Sequence, residues 1–250
     1  MKKHIIVFAM LVFGAAAFLA ACKKDDAMNS NSDSFPIVIP LQTTVQSAVV
    51  LGDASVFAVL AGTSVTNTGA TNLTGDLGLC PGSSVGGFPP GVLNGTLRIN
   101  DKIATKAKLD LTAAYNDAAG RTATDIVLLS GNLGGLTLTP GLYKSTSTLA
   151  IYSGDLTFDA KGDASAVFII QIASSFNMTS GRRVILTGGA QASNIYWQVG
   201  SSATFGTTAV FKGTIIALKT ITFATGATLE GRALARNGAV TMQANTIVIP

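Results

Sequence analysis

Asp155, Asp159 and Asp163, spaced by four, are the nearest approach in this sequence to a catalytic carboxylate pair or a calcium site. Each stands at a turn: Gly154-Asp155, Asp159-Ala160-Lys161 and Gly162-Asp163. Aspartate in such turns ordinarily accepts from backbone N–H groups. The glycine-rich nonapeptide that binds calcium in β-helix repeats is absent. Cys80 precedes Pro81 with no basic residue placed to form a thiolate. Lys144, Arg182 and Arg183 read as solvated cations. Trp197, with Tyr196 beside it, has the chemistry to stack on a sugar, but alternation along a strand puts one in the core and the other at the surface. The one histidine is His4 and the one glutamate is Glu230. Beyond the N-terminal segment there is thus no histidine base, no Ser-His-Asp triad and no histidine metal ligand. Cys22 and Cys80 are the two cysteines, too few for a zinc cluster. The expectation is a protein without enzymatic activity, cofactor or metal.

A different chemistry is carried by threonine. Thr68-Gly69-Ala70-Thr71, Ser201-Ser202-Ala203-Thr204 and Thr225-Gly226-Ala227-Thr228 read as one corner motif used three times. Threonine offers a hydroxyl and a methyl on a stiff χ1. A flat ladder of such groups holds water in a fixed pattern while half of each group stays apolar. A solid whose surface is itself a lattice of water would match it. The candidate residues are Thr68, Gly69, Thr71, Ser202, Thr204, Thr225, Gly226 and Thr228.

Positioning a ladder requires stacked turns. Phe211-Lys212-Gly213 is echoed eighteen positions on by Leu229-Glu230-Gly231, Ala217 by Ala235 and Ile221 by Ala239. A period near twenty with glycine in fixed phase and alternating apolar residues describes a β-solenoid. Strand-like runs fill Thr43 to Leu79 and Thr124 to Pro250, and Cys80 to Gly95, rich in Gly and Pro, reads as a loop across one end. One helix is expected, 101–119, with Asn100 as its cap, Asp101 at the positive end of its dipole and Gly120 just past its end. Ile103, Ala107, Leu111, Ala114, Tyr115 and Ala118 form its apolar stripe, and Lys106 pairs with Asp110 on the wet side.

Apolar residues make up 48% and charged residues 12% of the chain, so the expected domain has a large core and a weakly charged surface. The formal charge of +4 falls by two without Lys2 and Lys3, which is no footprint for nucleic acid. Residues 1–22 read as an export signal: basic Lys2-Lys3, apolar Ile5 to Leu19, then Leu19-Ala20-Ala21-Cys22. This resembles a bacterial lipoprotein signal with Cys22 as the lipidated residue. Lys23-Lys24-Asp25-Asp26 resembles a surface-export signal of Bacteroidetes lipoproteins. Residues 23–42 are expected to be a flexible tether and 43–250 a single domain, anchored at the outer membrane and facing outward.

Gly52 to Leu60, Gly75 to Gly78, Gly87 to Gly91, Leu109 to Gly120, Thr139 to Tyr143, Gly188 to Gly200 and Gly226 to Ala235 resemble, in order, the microbial ice-binding proteins of the DUF3494 type. The resemblance implies a mostly β fold: an irregular right-handed β-solenoid of roughly triangular section, with N-terminal coils packed beside C-terminal ones and one long α-helix alongside. It implies ice binding by a flat face bearing Thr-Gly/Ala-x-Thr/Asn motifs. Thr68–Thr71 and Thr225–Thr228 match that motif; Ser201–Thr204 departs at two positions and Asn237-Gly238-Ala239-Val240 at more. The expected partner is an ice crystal surface, contacted by a monomer that touches membrane only through its lipid anchor. The alternatives on the same scaffold are an adhesin or carbohydrate-binding module, which needs an aromatic or acidic groove, and a polysaccharide lyase or hydrolase, which needs clustered carboxylates.

Overall fold

The computed structural model describes residues 39–250; the signal 1–22 with Cys22, and the tether residues 23–38, lie outside the described residues. The described residues form one compact unit. Within it the chain winds through eight coils, each contributing strands to three sides of a solenoid. In chain order they are coil 1 (57–74), coil 2 (76–94), coil 3 (127–138), coil 4 (141–159), coil 5 (168–187), coil 6 (195–212), coil 7 (214–230) and coil 8 (232–248). All strand pairings between coils are parallel, and their order in space is 2-1-8-7-6-5-4-3. The stack is therefore discontinuous in sequence: coil 8 lies on coil 1 through Val59↔Ala233, Val65↔Val240 and Asn72↔Thr246.

The helix Lys102–Gly120 explains how this is possible. Coils 1 and 2 grow towards one end, and the chain must return to the other before coil 3 can start. Nineteen helical residues span about 28 Å, comparable with the roughly 34 Å spanned by eight coils at 4.7–4.9 Å spacing. Asp101, not Asn100, is the cap, its carboxylate accepting from the N–H of Ala104 at 2.7 Å. Asn100 is left-handed (φ 53°) and its amide donates to the carbonyls of Pro81 and Gly82. Gly120 is the last helical residue, and Ile103 is exposed; Ala104 takes its place on the buried stripe with Ala107, Leu111, Ala114, Tyr115 and Ala118. The four alanines let the helix lie close over Phe57, Leu60, Leu142, Ile169, Tyr196, Ile216 and Leu234. Lys106 pairs with Asp110 at 2.6 Å, as its i, i+4 spacing predicts.

Two further expectations are corrected. The stretch from Cys80 to Gly95 contains the strands Ser84–Gly86 and Val92–Asn94, which complete coil 2, because parallel pairing to coil 1 supplies backbone partners that local sequence does not reveal. Residues 39–42, assigned to the tether, are docked: Ile39 packs against the core and Gln42 accepts from the N–H of Leu142 at 2.8 Å.

The corners are set by backbone conformation. Val210–Ala217 and Thr228–Ala235 are eight-residue strands that each serve two sides, and they bend at Gly213 (φ 110°) and Gly231 (φ 153°), which are register partners. A Cβ on Gly231 would lie 1.9 Å from the carbonyl oxygen of Gly213. The glycine of the eighteen-residue echo is thus a corner that admits no side chain. Inside, Phe158, Phe168, Phe176, Trp197, Phe205, Phe211 and Phe223 form a chain of ring contacts at 4.6–5.9 Å between centroids. The indole N–H of Trp197 donates to the carbonyl of Lys212 at 3.1 Å. Such a core is close-packed and resists deformation.

Candidate functional site

The three sides differ in what they offer to solvent. One is covered by the helix. A second carries charge: the Lys212–Glu230 ion pair lies across coils 6 and 7, and Asp159 and Lys161 pair at 2.8 Å beside coil 4. The remaining side is an eight-stranded sheet with one strand from every coil.

On that sheet a central file of outward residues runs in strict register through Gly86, Thr66, Thr241, Thr222, Thr204, Asn177, Ala150 and Asn132. From Thr66 to Ala150 each is flanked by inward residues: Val240 and Met242 around Thr241, Ile221 and Phe223 around Thr222, Ala203 and Phe205 around Thr204. Two residues upstream a second file runs beside it, through Ser64, Ala239, Thr220, Ser202, Ser175 and Thr148. Its spacing is fixed by the backbone bonds Ile221 N–H to Ala239 O, Ala203 N–H to Thr220 O, Phe176 N–H to Ser202 O and Leu149 N–H to Ser175 O. Neither file contains a charged residue. Rungs repeat at about 4.7–4.9 Å across strands, and the two files stand roughly 6.7 Å apart along them. Adjacent hydroxyls approach one another, as Thr66 Oγ1 donating to Thr241 Oγ1 at 3.3 Å. The result, through coils 6, 7, 8 and 1, is a regular grid of hydroxyls and methyls, held from behind by the aromatic core.

The predicted residues divide on this geometry. Thr204 and Ser202 lie in the two files. Thr68 is exposed on the same sheet, one alternation beyond Thr66 and opposite Gln243. Thr225 and Gly226 (φ 72°) form the corner at the edge of that sheet, with Gly69 (φ 78°) at the equivalent corner of coil 1. Thr228 begins a strand on the charged side, and Thr71 is fully buried. The three tetrapeptides are therefore not one motif in one phase. Thr228 aligns with Thr246 and Asn72, so Thr71 aligns with Ala227, one position earlier and pointing inward. Ser201–Thr204 enters the hydroxyl sheet, whereas the other two leave it.

Thr66, Thr222, Thr241 and Asn177 were missed. Their signal was present: Thr204, Thr222 and Thr241 recur at intervals of eighteen and nineteen, each between two apolar residues. That is a period-two strand locked to the coil period.

The remaining candidates have structural work. Asp155 accepts from the N–H of Arg183 at 2.9 Å. The Lys161 ammonium holds the Asp159 carboxyl below its ordinary pKa, and the Ser165 hydroxyl and N–H do the same for Asp163. Among the described residues no three His, Cys, Asp or Glu side chains converge as metal ligands would. Trp197 and Tyr196 are both buried, one in the solenoid core and one under the helix, so the expected surface aromatic is not there. Alternation holds, but here the outer face of the strand is roofed.

Comparison with known proteins agrees with this architecture. A family model described as "Ice-binding-like" matches residues 59–248. An ice-binding protein of Nostoc sp. (strain HG1) is 46% identical over 210 residues, covering 82% of this chain and 77% of the relative. One from Flavobacterium frigoris is 40% identical, covering 80% and 76%. Among solved structures, an ice binding protein from an Antarctic Biological Consortium is 74% identical with a TM-score of 0.85, covering 85% of this chain and 96% of that one. The structure from the ascomycete Antarctomyces psychrotrophicus is 41% identical with a TM-score of 0.78, covering 81% and 98%.

Proposed function

The chain belongs to the ice-binding-like family, and from that premise we propose that it adsorbs to ice through the two hydroxyl files of its uncharged side. Water held on the grid by hydroxyls and kept in place by the methyls forms a layer that merges with the crystal lattice. Each contact is weak, but rigidity means that little entropy is lost on binding, so many act together. Ice pinned between bound molecules then advances only as curved fronts, which lowers its local freezing point. The observation that carries this reading is the charge-free register of Thr66, Thr241, Thr222 and Thr204 across adjacent coils.

Family members are not known as enzymes, and we read this chain as non-catalytic and monomeric. We further propose that Cys22 is lipidated and holds the domain at the outer surface of the cell, on the strength of the signal sequence alone. Thermal hysteresis and recrystallisation inhibition of Thr204→Tyr and Thr222→Tyr test the face. Both are expected to abolish activity with the melting temperature unchanged, while Thr228→Tyr, on the charged side, leaves activity intact. Full activity in both face variants would move the site elsewhere.

A further inference from the structure

The chain enters the domain at the corner that faces away from the hydroxyl side. Each coil runs from the helix-covered side to the hydroxyl side and then to the charged side. The corner that joins the charged side to the next helix-covered strand therefore lies opposite the hydroxyl sheet. There Gln42 accepts from the N–H of Leu142, and Thr43 to Gln46 line a cleft with Pro140, Gly141, Ser165 and Val167. The Asp125 carboxylate accepts from the N–H groups of Thr43 and Thr44, and Arg121 donates to the carbonyls of Ser47 and Ala48. Val49 and Leu51 then join the core under the helix. Residues 39–51 thus form a strap, fastened along its length.

The strap turns apolar side chains to solvent. Leu41, Val45 and Val50 are 70%, 93% and 78% exposed. No charged residue occurs from Ser34 to Gly52. Exposed apolar groups on a fixed backbone gain by leaving water, yet three of them are too few to hold a protein on a lipid surface unaided. Residues 23–38 are all that separates Ile39 from Cys22, a reach of at most about 55 Å. A tether that short gives an effective concentration on the order of millimolar, at which a weak contact is populated.

We propose that the strap rests on the lipid bilayer that holds the Cys22 anchor, with Leu41, Val45 and Val50 entering its interface, and that this contact turns the hydroxyl face away from the cell. The inference rests on lipidation of Cys22 and on the hydroxyl sheet being the side that meets ice. Because the strap is uncharged, the contact is insensitive to salt and to headgroup charge. Val45→Trp tests it, in the lipidated chain reconstituted into phosphatidylcholine vesicles with brominated acyl chains. Bromine quenches an indole only at close approach, and the native Trp197 is fully buried, so quenching reports position 45. Its emission should be largely lost, equally with and without added phosphatidylglycerol. Thr204→Trp, which carries the same indole on the hydroxyl face, should keep its emission. Adding Leu41→Ser and Val50→Ser to Val45→Trp should restore emission with the melting temperature unchanged. Loss at both reporter positions, loss at neither, or no restoration would each overturn the contact. A blue shift at position 45 that grows with protein concentration in the absence of vesicles would overturn it too, by assigning the strap to a second copy. The intact mass of the chain, taken before vesicles are added, isolates the anchor: a Cys22 without lipid overturns the anchor and the inference with it. Hysteresis retained by Thr204→Trp would move the ice-binding side, overturning what the contact presents but not the contact.

Discussion

Thr71 and Thr228 occupy the same place in the same tetrapeptide, yet they do unrelated work. Thr71 Oγ1 donates to Asn67 Oδ1 and accepts from the N–H of Asn245, so it bridges coil 1 to coil 8 across the sequence discontinuity. Asn67 in turn donates to the carbonyls of Gly69 and Gly87, and Asn245 to those of Ala224 and Ala227. Thr71→Val keeps the volume and strands two buried polar groups. We expect it to cost about 2 kcal/mol, read by thermal melting, with hysteresis per folded molecule unchanged. A loss of hysteresis without a loss of stability would mean that Thr71 acts at ice after all.

The helix is fastened by more than its apolar stripe. Gln171 donates to the carbonyls of Ala118, Ala119 and Arg121 at its C-terminus, and the Tyr115 hydroxyl accepts from Gln198. Asp101→Ala removes the N-cap and is expected to lower stability by about 1 kcal/mol. Lys108 reaches from the helix to the carbonyls of Ala235 and Arg236, and desolvation by burial lowers its pKa to about 8. The ordinary value is near 10.4. Between these two values the unfolded chain keeps a proton that the folded chain has released. Stability should therefore rise with pH from about 8 to about 10.4, and Lys108→Met should flatten that slope in denaturant titrations at several pH values. A slope unchanged in the variant would assign it to another group.

At the scale of the molecule, each coil contacts only its spatial neighbours, so stability accumulates coil by coil. The outer edge of coil 3 is unpaired and that of coil 2 is covered on one side only, by Leu97–Ile99, while coils 6, 7 and 8 are paired on both sides. Amide hydrogen exchange should be slowest in Ile195–Val199, Val210–Ala217 and Thr228–Ala235 and fastest at the two ends. The seam between coils 8 and 1 is an uninterrupted parallel ladder on all three sides and should exchange no faster than its neighbours. Fastest exchange at the seam would show that sequence continuity, not spatial pairing, sets local stability.

Period-two alternation, the eighteen-residue echo and the corner glycines made a β-solenoid with one helix legible from the residues alone. These are local consequences of backbone geometry: a strand alternates, a turn needs a left-handed residue, and a capped amphipathic stretch coils. The absence of histidine from the domain and its single glutamate were equally plain. Which threonines share a face was decided only by tertiary pairing. A shift of one residue sends a side chain from solvent to core, as it does between Thr228 and Thr71. The register that fixes that shift comes from partners such as Thr246 and Asn72, brought together from opposite ends of the domain.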